Sequence, residues 1–195
     1  MNAKTKSYAR IRKICVAAMM IAAEVVLNRF CSIKTAGWNI GFSFVPVVLT
    51  AMLYGPGMAA VVGGLADFIG AILFPIGVYH PGFTIIAAFM GFNDGIFLHG
   101  TDVHWQIGQS EMRFAVRWNK ISFWQMLIPT LWNHLVLGLC VNTAWVSMLY
   151  GSKTYWGWFV YRLPQQAIMI PVTMLLLPVL CRIAALVRPR LTGER

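Results

Sequence analysis

Apolar residues along this chain come in long unbroken blocks separated by short polar or turn-forming stretches. A helix needs about 20 residues to cross the hydrocarbon of a bilayer. On that measure the blocks predict six helices, at about 12–30, 42–54, 56–74, 82–98, 121–149 and 159–187. The second block is short and carries Pro46 near its start, so it reads as a partial or tilted helix covered by its neighbours. Gly55-Pro56-Gly57 predicts a tight turn, since glycine permits positive φ and proline suits a first helical position. Residues 75–81 and 150–158 read as loops, and 99–120 is the one long polar segment.

Composition turns these blocks into membrane spans. Of the 195 residues, 58% are hydrophobic and 11% are charged. An average soluble chain carries about 25% charged residues. The expected fold is an all-α membrane protein, a single transmembrane domain over 1–195. The net charge of +10 is also a feature of nucleic-acid binders, but here the charges cluster between spans rather than on one face. Twelve of the 16 lysines and arginines lie in the N-terminal segment, the central loop and the C-terminal segment. Positive-inside bias then puts both termini and the 99–120 loop in the cytoplasm, which demands an even number of spans. The first block follows a basic stretch as a signal peptide does, but it exceeds a 7–15-residue apolar core, and no cleavable signal is evident.

The remaining four cations, Arg29, Lys34, Lys153 and Arg162, share the opposite side. An outward-facing site built from loops and the helix ends beneath them follows. Arg162 precedes Pro164, Gln165 and Gln166, so a charge and amide donors lie within one and a half turns. It reads either as an arginine snorkelling to the interface or as a fork that holds a carboxylate. Three acids fall inside spans: Glu24, Asp67 and Asp94. An ionisable group at helix centre costs roughly 2.5–3.5 kcal/mol on insertion scales, so such groups face protein, water or ligand. Asp67 can accept from a ligand's N–H groups or from a partner within the bundle. Asp94, nearer the cytoplasmic end, reads as a packing or capping residue. Aromatics including Trp38, Phe42, Phe83, Trp145, Tyr155 and Tyr161 crowd the outer side, as an interfacial belt or as a stacking site.

Small residues recur four apart at Ala18/Ala22, Ala59/Gly63, Ala66/Gly70 and Gly91/Gly95, a spacing that lets helices approach closely in lipid. The four cysteines are isolated and read as small apolar residues. Gly151-Ser152-Lys153-Thr154 lacks the order and preceding strand of a phosphate-binding loop. His99 and His104 are poorly spaced for a metal on one helix. No catalytic set, cofactor or metal site is expected, and one half does not repeat the other as in many secondary transporters.

Several stretches, taken in order, resemble a known family: 41–46 (GFSFVP), 52–56 (MLYGP), 64–67 (GLAD), 73–75 (LFP), 81–84 (PGFT) and 141–151 (VNTAWVSMLYG). The chain resembles the substrate-binding S components of energy-coupling factor (ECF) vitamin transporters, the folate-binding members above all, from about 11 to 186. The 99–120 segment matches least. That resemblance implies six helices and a vitamin pocket under the loops after helices one, three and five. It also implies a complex in the plasma membrane of a prokaryotic cell with the transmembrane coupling protein EcfT and two ATP-hydrolysing subunits. The chain itself would be no enzyme. Helix one would pack on the coupling protein through Ala18 and Ala22. Arg29, Lys34, Trp38, Phe42, Asp67, Phe83, Asn142, Trp145, Arg162 and Gln165 are the expected folate-binding residues, the alternative being another pterin-like or carboxylated vitamin.

Overall fold

The computed structural model describes residues 3–35, 38–75, 77–99, 103–107, 110–114 and 123–192, with the side chains of 3–7, 9, 34, 35, 103–107, 110–114 and 188–192 outside the description. Six helices make up the bundle: α1 (Ala3–Phe30), α2 (Phe44–Tyr54), α3 (Pro56–Leu73), α4 (Pro81–Leu98), α5 (Phe123–Tyr150) and α6 (Tyr155–Thr192). Two antiparallel hairpins join them, β1 (Ile33–Thr35) with β2 (Trp38–Ile40) and β3 (Val103–Ile107) with β4 (Ser110–Phe114). Six passes return the chain to the side on which it began. The end that carries the α1–α2, α3–α4 and α5–α6 connections is called the mouth end below.

Helices α3, α4, α5 and α6 have the length and apolarity of membrane spans. Within its apolar part α1 carries Lys13, Glu24 and Arg29. At 11 residues, α2 spans about 16 Å, half of a bilayer core. It packs against α1, α3, α4 and α6, as a short helix in lipid must. The turn from α2 into α3 is the single residue Gly55, at φ 85°, followed by Pro56 at the first helical position.

Three boundaries differ from the sequence reading. Helices α1 and α6 begin earlier than their apolar blocks, at Ala3 and Tyr155. The loop before α6 shrinks to a turn opened by Gly151 at φ 54°. The polar 99–120 segment contains the β3–β4 hairpin, with Val103 opposite Phe114.

Helix α5 is not uniform. Pro129, which has no N–H to donate, stands three residues before Trp132–Val141, and that stretch is wound as a π-helix. Away from the mouth, the bundle is closed by a dry cluster of Val48, Met52 and Leu53 from α2, Leu98 from α4, and Leu177, Leu180, Cys181 and Ala184 from α6.

Candidate functional site

Above that cluster the helices part around a cavity of about 630 Å³, within the usual size range of small-molecule pockets. All six helices, β2 and the α3–α4 loop contribute to its wall. Val48 and Leu177 form the floor, and Gly77, Tyr79 and Tyr150 stand at the mouth.

Arg162, in the second turn of α6, is 4% exposed and lines the wall. Its Nη1 donates to Thr143 Oγ1 at 3.1 Å, while its Nε has no partner among the described residues. Across the cavity Arg29 packs closely against α3: a β-carbon at Gly70 would stand 3.0 Å from Arg29 Nε. Arg29 Nε is likewise buried and unpartnered. Buried guanidinium nitrogens without acceptors are costly, and an anionic ligand relieves that cost.

Four more of the expected residues join these two. Asp67 accepts from Thr84 Oγ1 at 2.8 Å, and that hydroxyl also meets Tyr79 OH at 3.0 Å. Trp38 presents its ring to the cavity and donates Nε1 to the Tyr161 carbonyl at 2.9 Å. Phe83 and Asn142 line the wall, and Asn142 Oδ1 is a buried acceptor with no partner among the described residues.

The other four are placed differently. Gln165 is buried outside the lining and donates Nε2 to the Asn39 carbonyl at 2.9 Å, so it holds β2 from behind. Trp145 faces a groove between α4 and α5, stacked on His80 at 4.7 Å and packed close against Gly82. Phe42 is 50% exposed and does not line the cavity. The side chain of Lys34 lies outside the described residues. Lys153, a further outer cation, stands over the rings of Tyr161 and Trp158, at 4.2 and 5.3 Å. Ala18 and Ala22 are both exposed on α1.

The cavity also holds polar residues that the sequence reading did not assign to it. Near the mouth, Glu24 accepts from Asn28 Nδ2 at 3.0 Å, and Asn28 Oδ1 accepts from Asn39 Nδ2 at 3.4 Å. Deeper, Asn133 Nδ2 donates to Asp94 Oδ1 at 2.8 Å. His134 is pinned by Gln166 at 3.0 Å and Thr173 at 3.1 Å. Asp94 therefore works across helices and lines the cavity, where the sequence suggested packing or capping. The signal for this deep group was present as polar residues within an apolar run, Asn133-His134 in α5. In the widened π-helical turn these two consecutive residues both reach the cavity.

The site thus has two cations near its mouth, aromatic rings on its wall and hydrogen-bonding groups in its depth. The family model for the ECF-type riboflavin transporter S component matches residues 8–185. The folate transporter FolT of Clostridium novyi is 34% identical over 155 residues, 80% of this chain and 79% of that protein. FolT of Leuconostoc mesenteroides is 25% identical over 167 residues, 83% of this chain and 80% of that one. A crystal structure of FolT bound with folic acid superposes with a TM-score of 0.73 at 26% identity, covering 88% of this chain and 94% of that one.

Proposed function

This chain belongs to the S-component family of ECF-type transporters, and from that premise we propose that it is the folate-binding subunit of an importer. The observation that carries the reading is Arg162, a guanidinium sunk in the cavity wall with an unpartnered Nε. Arg29 faces the same space. The glutamate tail of folate brings two carboxylates, and an arginine fork meets a carboxylate with parallel hydrogen bonds. The flat pterin suits a wall that carries Trp38 and Phe83.

Binding alone moves nothing across a membrane, and the sequence has no nucleotide-binding motif. The energy comes from partners: two ATPase subunits and the coupling protein EcfT, which docks on the exposed Ala18–Ala22 face of α1. The assembly sits in the plasma membrane, with both termini and the β3–β4 hairpin on the cytoplasmic side, as the lysine and arginine placement directs. A second reading, riboflavin as the cargo, rests on the description of the matching family model. Riboflavin has no carboxylate to offer the two arginines.

Titration of the purified chain in detergent with folic acid, followed by tryptophan fluorescence, tests the proposal. Saturable binding of folic acid and none of riboflavin is the expected result. Arg162→Ala should weaken folic acid by roughly 10- to 100-fold, the usual worth of a hydrogen bond to a charged group. Unchanged affinity in Arg162→Ala would remove the carboxylate role, and a preference for riboflavin would replace the cargo.

A further inference from the structure

The charges of the cavity are unevenly placed along its depth. Arg29 and Arg162 lie near the mouth, at the end of α1 and the start of α6. Asp94 lies at the other extreme, twelve residues along α4 from Gly82, or about 18 Å of helical rise. Glu24 and Asp67 also line the cavity, but they belong to the outer turns. Glu24 is five residues before Arg29 on α1, and Asp67 is three before Gly70, on which the Arg29 guanidinium rests.

The surroundings of Asp94 leave acceptor capacity open. A carboxylate has about four acceptor positions. Asn133 Nδ2 fills one of them at 2.8 Å. Asn133 is itself committed elsewhere, since its Oδ1 accepts from Asn93 at 2.8 Å and its Nδ2 also lies 3.3 Å from the Met90 carbonyl. The neighbouring His134 has both ring nitrogens engaged, so it offers the cavity a ring rather than a free donor. An acid held this deep in a membrane bundle is expensive, and such residues ordinarily serve a ligand or an ion path.

We propose that Asp94 is the specificity-determining residue of the cavity, taking the paired N–H donors of a 2-amino-4-oxopteridine while the ligand's carboxylates stay at Arg29 and Arg162. The inference rests on the folate reading above. The pteridine N3–H and one hydrogen of its 2-amino group point the same way, which matches the two oxygens of a carboxylate. The isoalloxazine of riboflavin presents a single N3–H between two carbonyl oxygens at the corresponding edge, and those oxygens repel Asp94. One side chain would thus separate folic acid from riboflavin.

The test compares folic acid with 2-deamino-2-methylfolic acid, which keeps the tail and lacks the 2-amino donor, on the full chain in detergent. The wild-type protein should prefer folic acid by about 30-fold or more, the scale of one lost hydrogen bond to a charged group. Asp94→Asn should lose that preference, with the two compounds within threefold of each other, and Asp67→Asn should keep it. Tight folic acid binding with no preference in the wild type would overturn the role of Asp94 and leave the folate reading standing. So would loss of the preference in Asp67→Asn instead. No folic acid binding by the wild-type chain overturns both. Should Asp94→Asn not fold, Asp94→Ser makes the same comparison, and a preference kept in it overturns the role of Asp94.

Discussion

The same small-residue pattern occurs on α1 and on the α3–α4 pair, with opposite outcomes. On α3 and α4 it is used up inside the chain. A β-carbon at Gly63 would stand 2.8 Å from the Ala87 carbonyl oxygen, and one at Gly91 would run into the Ala59 carbonyl. Ala66 is buried, and Gly70 receives the Arg29 side chain. Ala18 and Ala22 on α1 are exposed, with Cys15 and Met19 beside them. Small-x-x-x-small states how closely another helix can approach, not whose helix it is. Within the bundle the approaching helix is the chain's own. On α1 it has to come from elsewhere, or the face meets only lipid.

Substitutions at these faces separate the two cases. Gly91→Leu should do the most damage, because the new side chain meets backbone that cannot move aside. A loss on the order of 3 kcal/mol is expected, seen as aggregation on size exclusion and loss of folic acid binding. A folded, binding-competent Gly91→Leu protein would show that the seam is looser than described. Ala18→Trp together with Ala22→Trp should leave folic acid affinity within about twofold. Uptake by vesicles containing the reconstituted partners should fall by about tenfold or more, equivalent to about 1.4 kcal/mol of docking energy. Normal uptake would make this face an ordinary lipid contact. Gly64→Ala is the mild case, since its β-carbon would meet Ala88 Cβ at 3.2 Å, a contact relieved by a slight shift. A change in melting temperature of a few degrees at most is expected, from a cost of about 1 kcal/mol or less.

The helix count, the shortness of α2 and the turn at Gly55 could be read from the sequence because each depends on local chemistry: block length, proline and glycine. The mouth cations Arg29 and Arg162 were legible for a similar reason, since charge is conspicuous in an apolar chain. What the sequence hid was rotation about the helix axis. A helix in lipid is apolar on both faces, so no hydrophobic stripe tells which side of α5 Trp145 occupies or which side of α6 Gln165 occupies. The structure puts Trp145 toward His80 and Gln165 behind β2. Asn133 and His134 were harder still, because the π-helical stretch changes the angular step between residues. The β3–β4 hairpin was legible in principle. Val103, Trp105 and Ile107 alternate with His104 and Gln106, a strand signal within a segment read only for its polarity.

The single-residue link at Gly55 has a consequence for biogenesis. With 11 residues, α2 lacks the length to leave the insertion machinery as a span in its own right. Only one residue separates it from α3, so the two enter the bilayer as one helical hairpin. Until α4 and α6 arrive, the open ends of α2 depend on α1 and α3 for cover. The quality-control risk of this protein is therefore concentrated early in translation, before most of the cavity wall has been made.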